Sequence, residues 1–376
     1  MLYVRPEYYD KFKCVADRCE ATCCAGWQIV INEAAMARYQ SVTGEYGEIL
    51  RERIDWEEGV FKQGCGKRCA FLKKNNLCEM YERLGEESLC ATCADYPRHI
   101  EEFENLREIT LTISCPEVAG ILLEQKEPVE FTEEEIDTDE EEFEDFDPFF
   151  FSYLEDARKI IIAILQNREL SVAVRVSLVY KMAEEMQDII EESDLFDLAD
   201  VFDAYEEEAH LLTAILEAEQ ELKAFYSTTE EDFRYSKAVF DRLYKLEFLS
   251  EDWEAYLDRC RVTLYGGGVQ GYREMRNTFK EYCKWATIDG INMDILLEQL
   301  LVYFVFAYFC GAVYDDNVIG RIRIAVDSIT VLHEMFAVKW AEQDGCLSAK
   351  DIQKIVYRYS RELEHSDVNL EVMQNV

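Results

Sequence analysis

The sequence predicts a mainly α protein with three parts: a small, irregular, cysteine-rich N-terminal domain (1–123), an acidic linker (124–147) and an α-helical bundle domain (148–376). Three observations predict it. Ten of the 14 cysteines fall in the first 115 residues, all five prolines lie at or before Pro148, and the proline-free remainder shows helical periodicity with recurring stop and start signals. At 376 residues the chain is long enough to bury a core in each of two domains.

The N-terminal region mixes short elements. Trp27 to Ile31 is a short apolar strand candidate, Asn32 is placed to cap a helix running through Tyr39, and Ile109, Leu111 and Ile113 alternate with Thr110, Thr112 and Ser114 as in a half-buried strand. This is too small and irregular for a doubly wound domain. Residues 124–147 then carry 14 acids against Lys126 alone, too much like charge to collapse, and predict a solvated connector. Those acids lack the alternating spacing and central glycine of a calcium loop.

Beyond Pro148, Val172, Val176, Val179, Ala183, Met186 and Ile190 step by four and three residues and share one helix face, a core stripe. Thr228 with Glu231 reads as a capping box, Ser250 precedes an acidic first turn, and Gly345 followed by Ser348 with Asp351 ends one helix and caps the next. About eight helices are expected in the bundle. The longest apolar run, Leu300 to Tyr314, falls short of the roughly 20 residues that span a bilayer and predicts a buried core helix.

Charge narrows the partners. With 39 basic and 78 acidic residues the net charge is −39, which repels phosphate backbones and anionic lipid surfaces, so neither nucleic acid nor membrane is expected. The opening residues Met1 to Glu7 show no secretory pattern, so a cytoplasmic, thiol-reducing setting is expected.

The thiols carry the chemistry. Nine form tight blocks: Cys14-x4-Cys19-x3-Cys23-Cys24, then Cys69, Cys78, Cys90-x2-Cys93, and Cys115 within Ser114-Cys115-Pro116-Glu117. At such spacings in a reducing compartment they read as metal ligands, because thiolates bind soft ions and short loops bring sulfurs together at little closure entropy. Zinc and an iron–sulfur cluster both take four thiolates, and spacing alone does not choose between them. Iron is favoured: Cys90-x2-Cys93 is the one clean pair of short spacing, and the vicinal Cys23-Cys24 is awkward around one tetrahedral ion yet suits two irons or two separate sites. A cluster of free buried thiols is the bland alternative.

These motifs also carry a resemblance. Cys69-x-Phe-Leu, Cys78-x-x-Tyr81-x-Arg83 and Cys93-x-x-Tyr96-Pro97 resemble the cysteine-cluster family of zinc or iron chelators, and the block Cys14 to Trp27 with Ser114 to Glu117 narrows this to the flagellin lysine N-methylases. The resemblance covers residues 1 to about 123. It implies an enzyme that methylates lysine ε-amines of flagellin with S-adenosylmethionine and requires a [4Fe-4S] cluster. It implies Cys19, Cys23, Cys24, Cys69, Cys78 and Cys93 as metal-ligand candidates from the broader pattern, and Cys14, Cys90 and Cys115 from the narrower one. Cys65 departs from the broader pattern. Nine candidates exceed the need of one cluster, which leaves room for a second site or for sulfurs that only shield the first.

Amine methylation needs a neutral nitrogen, whereas free lysine is almost wholly protonated at pH 7, so a tyrosine or carboxylate must take that proton. With 22 tyrosines and 78 acids the sequence names none. A cluster here has three roles open to it: structural, anchoring the methyl donor through an iron without a cysteine ligand, or redox. The nearest string to a radical-enzyme signature, Cys19-x3-Cys23-Cys24, departs from it, and the working reading is polar methyl transfer with a cluster that positions substrate or donor. Gly266 to Gly271 matches G-x-G-x-x-G but follows a helical stretch, so a loop between helices outweighs a nucleotide site. His99 and Arg98 read as surface or packing residues with a lesser candidacy near the metal or donor. His210, His333 and His365 read as structural, and the four late cysteines as small buried residues. Two other classes stay open: a non-enzymatic electron-transfer or metal-handling protein, and a zinc adaptor.

Overall fold

The computed structural model describes residues 1–137, 142–192, 194–227, 230–285 and 287–375. Its elements begin with β1 (Leu2–Pro6), α1 (Glu33–Ser41), α2 (Gly44–Arg53), β2 (Ile54–Asp55), β3 (Val60–Phe61), α3 (Glu79–Leu84), α4 (Ala91–Asp95), β4 (Arg98–Phe103), β5 (Leu106–Leu111), α5 (Pro116–Glu124) and β6 (Phe131–Glu135). There follow α6 (Pro148–Leu165), α7 (Val172–Glu192), α8 (Leu198–Glu206), α9 (Glu208–Ser227), α10 (Glu231–Arg242), α11 (Trp253–Tyr265) and α12 (Gly268–Trp285). The last four are α13 (Met293–Tyr308), α14 (Val318–Glu342), α15 (Ala349–Glu364) and α16 (Asp367–Gln374). The protein is mainly α, as its periodicity predicts, with eleven helices after Pro148 rather than about eight among the described residues.

Helix α13 is buried nearly all round. Together with its continuation it forms the 22-residue stretch Met293–Tyr314, apolar enough to cross a membrane by composition, yet 89% of its most apolar window is covered by protein. A helix hydrophobic on every face is a core helix when neighbours surround it. The one carboxylate it buries completely, Glu298, is held by Arg168 and Arg175 at 2.8 Å each. The α7 stripe is also found, shifted slightly: Val179, Ala183, Met186 and Ile190 are buried together with Val174, Leu178 and Met182, while Val172 and Val176 stay half-exposed. Ser348 and Asp351 form the expected capping box of α15. Thr228 lies outside the described residues, and Ser250 sits two residues before the N-cap Asp252 of α11, its N–H spent on Glu362.

Strands β4, β5, β1 and β6 form one sheet in that order, with β1 parallel to β5 and the other pairs antiparallel. The connector 124–147 is therefore not wholly solvated. Its Phe131–Glu135 segment pairs residue by residue with β1 as an acidic edge strand, Leu2 opposite Glu135 and Pro6 opposite Phe131, and Val129 is buried. Charged side chains on such an edge disfavour pairing with another chain. Ile109 and Leu111 do lie in a strand, but β5 is covered on both faces: buried Glu108 pairs with buried Arg158 of α6. Trp27 to Ile31 is not a strand. Ile29 and Ile31 are buried, Val30 is exposed, and Val30 makes only an isolated bridge to Val60. Asn32 does precede α1, but its carboxamide oxygen accepts from the N–H of Ala91, 3.0 Å away, instead of from its own helix.

Two hydrophobic cores result, and they do not divide at residue 123. A small core joins Ile29, Ile31, Ala35, Tyr39, Leu50, Ile54, Phe61, Phe71 and Met80. Phe103, Leu106, Leu111, Ile113, Val118 and Leu122 instead join the large core of the helices. The sheet and α5 thus belong physically to the helical body, and the compact thiol-rich unit lies between β1 and β4 in sequence.

Candidate functional site

Backbone hydrogen bonds bring the thiols together. Cys69 N–H donates to the carbonyl of Cys24 at 2.8 Å, and Ala25 pairs with Arg68, so two distant blocks lie side by side. The chain then turns at Asn76, whose φ of 59° is left-handed, and returns so that Leu72 pairs with Cys78. Cys78 and Cys90 precede α3 and α4, and α4 is pinned to the Val30–Asn32 segment through Thr92 and Ala91. Cys115 is the N-cap of α5, with Pro116 at the first helical position, where its missing N–H costs nothing. All nine candidates are free thiols, and so is the exposed Cys65.

The nine fall into two groups. Cys24, Cys69, Cys78, Cys90 and Cys93 pack on or within the small core, and they act on one another electrostatically: Cys24 on Cys69, Cys78 and Cys93, and Cys69 on Cys93. Cys14, Cys19, Cys23 and Cys115 form the other group: Cys14 acts on Cys19 and Cys23, and Cys115 on Cys23. Cys115 belongs to the large core. The groups meet at the vicinal pair, whose hydrogen bond raises the pKa of Cys23 and lowers that of Cys24 to about 7. A bond within the Cys90–Cys93 pair likewise lowers Cys90 to about 7 and raises Cys93. Burial pushes Cys69 up to about 12 and Cys115 to about 11. Among the described residues no three His, Cys, Asp or Glu side chains already form a metal cage, so binding requires the loops to tighten. The donor set itself, soft thiols on short loops, fits a thiophilic centre.

A polar seam adjoins the four-thiol group, and sequence reasoning missed it. Arg361, near the end of α15, donates to the carbonyl of Ser114 at 2.9 Å and to that of Ala21 at 2.5 Å, clamping the Cys19–Cys23 loop against the turn before Cys115. His365 Nε2 lies 2.9 Å from Ser114 Oγ, and its ring stands 4.6 Å from that of Trp27, whose indole N–H donates to the carbonyl of Cys23. Burial, with Arg361 beside it, lowers His365 to about 3, so it is neutral at pH 7. Ser114 Oγ also lies 3.1 Å from the Tyr96 hydroxyl and 3.0 Å from Thr112 Oγ1, whose own proton goes to Glu364.

Thr112 leads on to Glu364. That carboxylate accepts from Tyr303 at 2.5 Å, from Tyr308 and Thr112 at 3.0 Å each, and from Ser360. Burial raises its pKa in spite of these donors. His99, read from the sequence as a surface or packing residue, is half-buried against Tyr308 and 2.7 Å from Glu101. Burial alone would lower its pKa, but the carboxylates of Glu101 and Glu364 outweigh this and raise it. Arg98 hydrogen-bonds the hydroxyl of Tyr9 at 2.8 Å and is a packing residue. His333 is structural, its ring tilted against that of Phe279 with centroids 5.2 Å apart. No local spacing could have linked Ser114 to His365, which lie 251 residues apart.

A cleft of about 730 Å³ lies on the same side, lined by Arg18, Glu20, Glu117, Lys126, Asp289 and Lys350 among others. It is flanked by the neighbours of Cys19 and Cys115. The Gly266–Gly271 segment joins α11 directly to α12, with Gly268 at φ 65°, so it is a helix–helix joint and lacks the preceding strand of a nucleotide loop.

The family model for the FliB lysine N-methylase C-terminal domain matches residues 158–376. The lysine-N-methylase of Salmonella typhimurium strain LT2 is 24% identical over 140 residues, which is 35% of this chain and 35% of that protein; the Salmonella choleraesuis protein of the same name has the same identity and coverage. The match thus spans about a third of the length of these relatives. The flagellar biosynthetic protein FliU of Salmonella muenchen is 27% identical over 127 residues, 31% of this chain and 75% of that one. No solved structure matches.

Proposed function

The chain belongs to the FliB lysine N-methylase family, and on that footing we propose that it transfers methyl groups from S-adenosylmethionine to lysine ε-amines of flagellin. The observation that carries this reading is the seam. The matched helical part delivers Arg361, Glu364 and His365 from one turn of chain onto the loops of the four-thiol group. Cys14, Cys19, Cys23 and Cys115 are the residues that would hold a [4Fe-4S] cluster there, since such a cluster takes four thiolates. When bound, that cluster supplies a fixed anchor that positions substrate or donor.

The protein's own side chains account for the proton. A lysine ammonium entering the seam gives its proton to the Glu364 carboxylate, whose burial-raised pKa makes it a better acceptor than a solvated acid. The freed amine nitrogen then attacks the sulfonium methyl: the N–C bond forms, the S–C bond breaks with its electrons passing to sulfur, and S-adenosylhomocysteine leaves. Tyr303 and Tyr308 hold the carboxylate in place through their hydroxyls. Neutral His365 and Trp27 shield this side of the seam from water.

The test is anaerobic purification with iron, sulfide and zinc analysis, donor binding before and after metal removal, and mass spectrometry of flagellin incubated with protein and donor. Methyl additions to flagellin that disappear with the metal support the reading. An apoprotein that methylates at the full rate overturns the role of the cluster, and a colourless zinc protein that never binds the donor overturns the enzyme.

A further inference from the structure

We propose that the thiols build two adjacent metal centres: the four-thiol one at the seam, and a second, structural one held by Cys69, Cys78, Cys90 and Cys93 with Cys24. The inference rests on the reading that the thiols hold metal at all, and it concerns how many centres there are and which residues belong to each.

Three observations carry it. The first is number, since a tetrahedral ion or a cubane cluster takes four thiolates and the nine candidate thiols are all free. The second is architecture. The Cys90–Cys93 turn is held to the Val30–Asn32 segment through Thr92 and Ala91, and the Cys69–Cys78 turn is tied to the first block by the Cys69 N–H, which donates to the Cys24 carbonyl at 2.8 Å. All of this sits on a hydrophobic core separate from the one that receives Cys115. The third is the clamp: Arg361 draws Ala21 and Ser114 to one guanidinium, and both carbonyls belong to the loops that carry the four-thiol group, which is thus assembled from the helical side. The vicinal Cys23 and Cys24 contribute one sulfur to each centre, which removes the difficulty of placing both on one ion.

The second centre explains an oddity of the small unit. Its core is built from few large side chains, with strands β2 and β3 of two residues each and helices α3 and α4 of six and five. A unit this small usually needs a staple, and thiolate–metal bonds provide one in a reducing compartment. The ligand class is a thiophilic metal, either a zinc ion or a second iron–sulfur cluster.

The experiment compares wild-type protein, purified anaerobically, with Cys19→Ser/Cys115→Ser and Cys69→Ser/Cys90→Ser double variants. Iron, sulfide and zinc per chain are measured, and alkylation of native protein before and after chelation is mapped by mass spectrometry. Two centres predict that each double variant loses its own complement of metal and keeps the other. In the wild type they predict that Cys14, on one side, and Cys78 and Cys93, on the other, are all protected until the metal is removed. One zinc beside four irons, or a doubled iron and sulfide content, both support the proposal and identify the second metal. Metal sufficient for a single centre, lost equally in both variants, overturns it while leaving the proposed activity standing. Should either variant fail to fold, the wild-type footprint decides: protection confined to one group refutes the second centre. Wild-type protein without any metal overturns both this inference and the cluster reading it rests on.

Discussion

Replacing Arg361 by methionine should uncouple the thiol-rich loops from the helical body while leaving that body folded. The guanidinium makes two charge-assisted bonds, to the carbonyls of Ser114 and Ala21, and such bonds contribute roughly 1.5–3 kcal/mol each when partners are withheld from water. The site is only part-buried, so water reclaims some of this, and a loss of about 2–4 kcal/mol in docking the Cys19–Cys23 loop is expected. Methionine keeps the packing of the aliphatic stem, which isolates the lost bonds from lost volume. At about 1.4 kcal/mol per factor of ten, the undocked loop becomes roughly 30-fold to 1,000-fold more populated. The expected result is a far-ultraviolet spectrum close to wild type, a reduced content of seam metal, and flagellin methylation lowered by more than about tenfold. Arg361→Lys should recover only part, because one ammonium cannot reach two carbonyls with a planar fork. A variant with wild-type metal content, loop protection and methylation would refute the clamp.

Three further outcomes follow from individual residues. Glu364→Gln removes the proposed proton acceptor but keeps a side chain of the same shape among Tyr303, Tyr308 and Thr112, so kcat should fall by about 10²-fold or more with little change in KM, and the remaining activity should lose its low-pH limb; an unchanged pH–rate profile would rule out the role. Glu298→Gln leaves Arg175 buried without a charge partner and should cost about 3–5 kcal/mol in urea unfolding, whatever the metal content. His333 is held near a pKa of about 3 by burial, with Arg276 and Lys280 adding to it, so it is neutral in the fold and takes up a proton on unfolding below pH 6.5. Stability present above that pH should therefore drop by about 2 kcal/mol from this residue alone by pH 5, and His333→Phe should flatten the dependence in denaturation series at pH 7 and pH 5.

Much of the helical body could be read from the chain because its signals are local. The α7 stripe, the Ser348–Asp351 capping box and the apolar α13 each depend on residues a few positions apart, the range over which a helix organises itself. The thiols were legible for the same reason, as blocks of short spacing. The failures have a common physical cause. Strand β6 hides in a run of acids because an edge strand exposed from Thr132 to Glu135 needs few apolar residues, and its partner β1 lies about 130 positions away. Asn32 marks the start of α1 correctly but spends its side chain on Ala91, a contact made only once α4 has folded against it. The seam was invisible for this reason too: His365 and Glu364 carry no motif and acquire chemistry only from Ser114, Thr112 and two tyrosines brought to them by packing.

The seam also joins the thiol-rich loops to the helical family domain. The family match begins at residue 158, after the last thiol of either group, so the matched helices hold none of the nine candidate ligands. They hold the groups that face them. Helix α15 ends by presenting the clamp, the raised carboxylate and a neutral imidazole within five consecutive residues, Arg361 to His365. Each is matched by something the N-terminal segment supplies: the carbonyls of Ala21 and Ser114, the hydroxyl of Thr112, and the rings of Trp27 and Tyr96. A net charge of −39 draws a cationic side chain toward the molecule from a distance without selecting where it lands. Selection needs a place where the charge can be neutralised by proton transfer rather than merely paired. Exposed carboxylates at the cleft, such as Glu20 beside Lys350, offer pairing in water. In the proposed mechanism Glu364 offers transfer, because burial raises its pKa in spite of its hydrogen-bond donors, and it lies a short chain of hydroxyls from the thiols that would anchor the reaction.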